Sequence, residues 1–369
     1  MSDQAKKDNL YVRLQESKVA RIVFAIVVVV ALFFVFRWSF LFMRDSDASK
    51  LTIAIVALAV GIVGIWALYA SLTNLVEVTP ARVRDRLRPW VFVLPGVLIL
   101  ATYIVFPAIR TIWISLLNRT SDEFVGLRNY IFLFTDQDML IILRNTLMWV
   151  VVVPTISVSL GLIIAVMTDK LSSFWEKVTK SLVFLPMAIS FVGASVIWRF
   201  VYAYRPPGRP QIGLLNAIVT ALGEDPIAWI TLRPWNNLFL LFIMIWLQTG
   251  FAMVILSASV KGVPRDLKDA ARIDGCNEIR VFFNVIIPYV SGTILTVTTT
   301  ILFLVLKIFD IVWVMTSGDF ATGIVASRMY EEAFVFRNYG RGSALAVFLL
   351  LVVIPVMIRN VSRMRQQRS

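Results

Sequence analysis

The stretch LTIAIVALAVGIVGIWALYASL, residues 51–72, carries no charged side chain over 22 positions. At about 1.5 Å rise per residue a helix of this length spans about 33 Å, enough to cross a hydrocarbon core of roughly 30 Å. Backbone groups in lipid must find partners within their own segment, so such a run predicts a transmembrane helix. Comparable runs recur outward in both directions, at residues 21–43, 90–113, 146–168, 181–202, 237–260, 289–314 and 343–358. Composition agrees: hydrophobic residues make up 59% and charged residues 16%, against roughly 45–50% and about 25% in soluble domains. The predicted fold class is all-α, a polytopic membrane helical bundle of about eight transmembrane helices.

Lys and Arg orient the spans. The N-terminal segment, the second–third, fourth–fifth and sixth–seventh loops and the C-terminal segment hold 21 of them, against 11 in the other four loops. Cytoplasmic loops carry the excess, so both termini are predicted to be cytoplasmic. Lys18 and Arg21 before the first apolar run would also suit a signal peptide. The run continues past Arg37 with no small-residue cleavage site, which favours a retained helix.

The net charge of +13 does not indicate nucleic acid, because the basic residues sit at membrane edges, as at Arg82, Arg84, Arg86 and Arg88 or Arg359, Arg363, Arg365 and Arg368. Topology and anionic lipid headgroups account for them. The chain has no His and one Cys, Cys276, which excludes Cys/His metal spacings, His-based triads and an intramolecular disulfide. It has no G-x-x-x-x-G-K-[ST] phosphate loop, and nothing suggests a catalytic site or a metal site.

Within the sixth–seventh loop, DLKDAARIDGCNEIRVFFNVIIP (residues 266–288) interrupts the apolar runs. Pro264 is expected in a first helical turn and Asp266 beside it, where the helix dipole favours an acid. Leu267, Ala270 and Ala271 share one face. Asp274-Gly275 predicts a break at a left-handed glycine. A second helix then aligns Ile279, Phe282, Phe283 and Ile286 before Pro288 begins the next membrane entry. Such an amphipathic hairpin can lie on the membrane, cap its own bundle or dock on a partner, and physics alone leaves these open.

The same stretch resembles the cytoplasmic coupling loop of the inner-membrane permeases of binding-protein-dependent ABC importers. Its pattern, Glu-Ala-Ala, then Asp-Gly-Ala, Phe and Leu-Pro, is matched at Ala270, Ala271, Asp274, Gly275, Phe282 and Pro288. Asp269 stands for Glu, Cys276 for Ala and Ile287 for Leu, which preserves charge, small size and hydrophobicity. The likeness runs from about Pro89 to the C-terminus, through WVFVLPGVLILATYIVFPAIRTIWISL, FLPMAISFVGASVIWRFVY, KIFDIVWVMTSGDF and YEEAFVFRNYGRGSALAVFLL. It is similar to the longer, eight-helix permease subunit of maltose-type systems. The loop YRPPGRPQIGLLNAIVTALGEDPIAWITLRPW resembles that of permeases for α-glucosides such as trehalose, sucrose or maltose. Where the sugar branch usually has Thr-x-Gly-Gly-Pro, this chain has Thr316-Ser317-Gly318-Asp319-Phe320.

The resemblance implies a type I ABC importer permease core over residues 89–369, with its coupling loop at 261–288. Residues 1–88 would be an N-terminal cytoplasmic segment and two additional helices. It further implies a multi-pass protein of the bacterial cytoplasmic (inner) membrane that moves a sugar inward by alternating access. Implied partners are a second permease subunit, a cytoplasmic ABC ATPase dimer, an extracytoplasmic solute-binding protein, the sugar and membrane lipid. This chain would be no enzyme and bind no cofactor, ATP and Mg acting on the ATPase. The alternative, an ion-coupled secondary transporter, calls for membrane carboxylates and internal repeats; Asp310 is the one acid clearly inside a predicted span.

Polar residues inside the spans are candidate path residues. Lys307 and Asp310, three apart in the seventh span, are expected to form an intrahelical pair or to reach sugar hydroxyls. In the sixth, IWLQTGFAM offers Trp246, Gln248, Thr249 and Phe251, aromatic faces beside hydrogen-bonding groups, though aromatics there also serve ordinary packing. Aligned on the maltose-type subunit, Leu247, Gln248 and Phe251 fall where its helix touches sugar, Gln248 in place of Gly and Phe251 in place of Tyr.

Overall fold

The computed structural model describes residues 18–366, residues 47, 78 and 80 excepted. The start of the expected N-terminal cytoplasmic segment, residues 1–17, and Arg368 lie outside the described residues. The described residues are almost entirely helical and contain no β-strand, an isolated bridge between Leu117 and Phe124 excepted. The chain forms two compact units, Met1–Ala108 and Ile109–Ser369.

In the first unit, α1 (Lys18–Asp45) and α2 (Lys50–Glu77) cover the first two predicted spans and α3 (Ala81–Leu100) begins the third. Their large apolar residues, Phe33, Phe34, Trp38 and Trp66 among them, are exposed, as lipid-facing helices require. The Tyr69 hydroxyl donates to the Phe92 carbonyl at 2.9 Å, joining α2 to α3. A π-helical turn, Ala101–Val105, links α3 to α4 (Phe106–Ile114).

The second unit continues with α5 (Arg128–Thr135), α6 (Gln137–Asp169), α7 (Ser173–Phe184), α8 (Phe191–Val201), α9 (Leu214–Ala221) and α10 (Asn236–Lys261). There follow α11 (Arg265–Ile273), α12 (Glu278–Val281), α13 (Ile287–Leu306), α14 (Asp310–Thr316), α15 (Val325–Tyr330) and α16 (Tyr339–Gln366). At its centre is α10, whose Leu240, Met244, Leu247, Met253 and Leu256 are all buried. A helix apolar on all sides belongs inside a bundle.

Helix directions follow from shared contacts. Asn145 near the start of α6 and Asn237 near the start of α10 both donate to the Ala321 carbonyl, at 2.8 and 3.1 Å. Further along, Gly161 lies so close to α10 that an added Cβ would meet Ala252 Cβ at 2.6 Å and Met253 N at 2.7 Å. The two helices are therefore parallel, brought together by a small residue as membrane helices commonly are, and the chain between them must return across the bundle. Ser259 and Thr293 hydroxyls lie 3.0 Å apart, joining the end of α10 to the start of α13, so α13 runs back. Ala344 and Leu345 of α16 cluster with Leu133, Met139 and Ile142, so α16 starts beside the start of α6 and ends toward the end where α6 and α10 finish.

Two predicted spans differ from what forms. Residues 181–202 are not one helix: Ser173–Ala188 and Phe191–Val201 meet at a bend of 100°. Pro186 and the Ser190 side chain, which accepts from Gly193 N–H at 3.1 Å as an N-cap, end one helix and start the next. The seventh begins earlier, as Glu278–Leu306, and breaks at 307–309 before α14. Its entry at Pro288 is no start: a π turn, Phe282–Ile286, carries the helix through. Two of the three π turns among the described residues, here and at Ala101–Val105, end two residues before a proline, where the missing N–H and the ring would otherwise disrupt the i→i−4 ladder. Six helices among the described residues are long and apolar enough to span, seven if the bent pair is one crossing. The eighth predicted run lies in α16, whose described apolar part is Tyr339–Pro355.

Candidate functional site

The two breaks face one pocket. Its walls come from the bend (Met187, Ile189, Ser190, Phe191), from α10 (Leu247, Gln248), from Leu304 of α13 and from Asp310, the first residue of α14, around about 430 Å³. Gln248 is the thirteenth of the 26 residues of α10, so the pocket sits midway along it, about 18 Å from its start. Gln248 is 3% exposed, and its Oε1 has no hydrogen-bond partner. A buried acceptor left unpaired costs about 1–3 kcal/mol, which a ligand hydroxyl or water reaching it would recover. An amide, a carboxylate and the Ser190 hydroxyl over an apolar floor of Leu247, Phe191 and Leu304 suit a neutral molecule with several hydroxyl groups.

Of the predicted path residues, the structure brings Leu247, Gln248 and Asp310 together. Trp246 is half-buried and turns to Trp198, ring centroids 5.6 Å apart; half-buried Phe251 packs on the main core. The Thr249 hydroxyl is satisfied inside its helix, donating to Ile245 O at 2.7 Å. Lys307 is exposed, and the expected intrahelical pair is corrected: the helix ends between Lys307 and Asp310, which belong to different elements.

The coupling stretch lies at the end of the bundle where α6 and α10 finish. Its first helix closes as the sequence expects: Cys276 N–H donates to Ala271 O at 3.0 Å, Gly275 N–H to Arg272 O at 3.1 Å, and Gly275 has φ +83°. These bonds make a Schellman ending, which needs a left-handed residue and favours glycine. The Asn277 side chain accepts from Arg280 N–H at 2.9 Å and starts α12. Pro264 stands just outside α11, at the position before its first turn rather than in it, and Asp266 is in the first turn.

Ion pairs tie this hairpin to the end of α6, Lys268 to Asp169 at 3.4 Å and Glu278 to Lys170 at 2.8 Å, and brace it internally, Arg272 to Glu278 at 2.8 Å and to Asp269 at 2.7 Å. The bonds to Glu278 first and Asp269 second raise the pKa of the Arg272 guanidinium further. Asp269, Ala270, Asp274, Gly275 and Pro288 are exposed, and Ala271 and Phe282 are half-buried. Of the expected apolar side, Ile279 and Phe283 are exposed, as are Leu267 and Ile273, while Ile286 turns into the core.

Residues 142–363 match the family model described as the binding-protein-dependent transport system inner membrane component. The chain belongs to this family. It is a permease subunit of a binding-protein-dependent ABC importer and an inner-membrane protein. The permease is 56% identical over 278 residues to the osmoprotective compounds uptake permease protein GgtC of Synechocystis sp., covering 75% of this chain and 99% of that one. It is 48% identical over 283 residues to the alpha-glucoside transport system permease protein AglF of Rhizobium meliloti, covering 76% and 83%. A solved bacterial ABC transporter involved in alginate import shares the fold, with TM-score 0.65 and 18% identity over 77% of the permease and 99% of that chain.

Sequence reasoning missed the half of the pocket supplied by the bend. The signal was present in Pro186 followed by Ser190, a proline and then an N-capping residue inside one apolar run.

Proposed function

We propose that this permease carries an uncharged oligosaccharide, with α-glucosides such as trehalose, sucrose or maltose as the favoured class. The observation that supports this most is the pocket in which Gln248 and Asp310 meet between two broken helices. Unwound backbone inside a membrane is tolerated where it lines a cavity, and such half-helix sites hold substrate in other transporters. The names of the relatives, an osmoprotectant permease and an α-glucoside permease, point the same way.

In this reading residues 89–369 form the importer core with six crossings, residues 1–88 add two, and both termini are cytoplasmic. A solute-binding protein delivers sugar to the outer loops and a second permease completes the pore. The exposed apolar residues of the hairpin dock on an ATPase dimer, where ATP and Mg act. Nucleotide can drive the bundle only by binding one of its states better than the other, and the ion pairs from Lys268 and Glu278 would carry that bias from the hairpin to the inner end of α6. The test is a detergent pull-down of the tagged chain expressed with its native neighbours, followed by mass spectrometry and an ATPase assay against a disaccharide panel. Recovery of one further permease and an ATPase stimulated by a sugar-loaded binding protein is expected; recovery of the chain alone with ion-driven uptake would overturn it.

A further inference from the structure

The end of the second unit away from the hairpin holds another cavity, of about 510 Å³, inside the roughly 300–1,000 Å³ that small-ligand pockets occupy. It shares no lining residue with the pocket at Gln248. Asp138 enters it from the first turn of α6, Arg233 from the segment before α10, Trp313 from α14, Asp319 from the following loop, and Arg328 and Glu331 from α15 and the turn after it. The 33 residues of α6 lead from this cavity to Asp169 beside the hairpin, a distance of about 50 Å.

The loop Thr316–Gly323 that forms one wall is held in a costly shape. Ser317, Phe320 and Ala321 have φ of +55°, +58° and +60°, at about 1–2 kcal/mol each for side-chain-bearing residues. Such strain survives only where the surroundings over-determine it, and it gathers at functional sites. Three asparagines supply the constraint: Asn145 donates to the carbonyls of Ala321 and Gly323 at 2.8 and 3.0 Å, Asn236 to that of Phe320 at 2.9 Å and Asn237 to that of Ala321 at 3.1 Å. The Thr316 and Thr322 hydroxyls close the base at 2.6 Å. The result presents Asp319 and Phe320, both exposed, at the cavity wall. These two residues replace the Gly-Pro usual in the sugar branch.

Across the cavity, Arg328 pairs with Glu331 at 3.2 Å and with the buried Glu332 at 2.9 Å, and lies 5.2 Å from the centre of the Phe336 ring. Its Nε is buried with no hydrogen-bond partner, a donor left over after both ion pairs. The cavity thus combines two guanidinium groups, three carboxylates and three aromatic side chains. A ligand of one charge sign would be repelled by half of the wall, and the acids do not form a group able to hold a metal among the described residues. A neutral polyhydroxylated ring can donate to the carboxylates, accept from the guanidinium groups and lay an apolar face on Trp313.

We infer that this cavity is a second carbohydrate subsite, an entry site that holds the sugar before it reaches the pocket at Gln248. The inference rests on the substrate class proposed above. It is tested on the whole importer complex in detergent, free of nucleotide and of binding protein, by equilibrium binding of radiolabelled trehalose, sucrose and maltose. The sugar that the wild type imports should occupy two sites. Gln248→Ala should weaken one of them about 3- to 10-fold and leave the other unchanged, whereas Arg233→Gln and Asp319→Asn should each weaken the other about tenfold. Glu331→Gln, a change outside the positive-φ loop itself, should do the same if Asp319→Asn disturbs folding. A single site, weakened by Gln248→Ala and unmoved by Arg233→Gln and Asp319→Asn, would overturn the inference. So would Arg233 and Asp319 variants that bind sugar normally and raise only the KM for loaded binding protein, which would make the cavity a protein-docking face. A wild type that binds and imports none of the three sugars removes the substrate reading itself, and this subsite with it.

Discussion

At the scale of single residues, Gln248 and Gly275 carry opposite demands. Gln248 is a polar group kept inside a membrane bundle with an unmet acceptor; replacing it with Leu should leave folding intact and raise the KM for the imported sugar about 3- to 10-fold, the loss expected for one neutral hydrogen bond. An unchanged KM in proteoliposome uptake would remove Gln248 from the path. Gly275 touches nothing within 4 Å of an added Cβ, so its constraint is conformational alone. Gly275→Val should cost about 1–2 kcal/mol of hairpin stability through the left-handed backbone. Transport and sugar-stimulated ATP hydrolysis should fall together, and their survival in a correctly inserted protein would refute the coupling role. Gly275 was legible in sequence because a left-handed helix ending has a residue signature. The partners of Asp310 were not, since which groups face it depends on the helix break at 307–309, where Ile308 is buried in the core.

The elements explain why the sequence showed some crossings better than others. α2 and α10 are uninterrupted apolar runs and form as expected, because hydropathy alone decides them. The bend at Ala188–Phe191 and the break before Asp310 lie within runs equally apolar, so hydropathy passes over them, and capping chemistry is the better guide. Ser190→Ala should loosen the bend by about 1 kcal/mol, the usual worth of an N-cap, read as faster amide exchange at residues 191–194. The close approach at Gly161 has no room to yield, since its neighbour is backbone as well as the Ala252 methyl. Gly161→Val should destabilise the protein by about 1–3 kcal/mol through overpacking, measurable as a lower thermal midpoint in detergent, while Gly61→Ala, where nothing lies within 4 Å of an added Cβ, should leave it unchanged.

For the whole molecule, the parallel course of α6 and α10 sets the topology of the second unit and places its hairpin and its entry cavity at opposite ends. Burial raises the pKa of the Glu331 carboxyl in that cavity, against the pull of Arg328. A carboxyl raised in the native state stabilises in its protonated form; that contribution is full below the ordinary value of 4.5 and is lost as pH rises through the raised one. Glu331→Gln should therefore flatten the decline in thermal midpoint above that value, and an unaltered profile would show that Glu331 is not the group responsible. The two breaks that meet at Gln248 have one more consequence. Each interrupts helical hydrogen bonding in the middle of the bilayer, and backbone carbonyls freed there call for water. A wet centre in an energised membrane is a short circuit for protons unless one side is always shut. The pocket that lets this subunit hold its cargo therefore also obliges it to act as insulation, with the closing of one gate completed before the other opens.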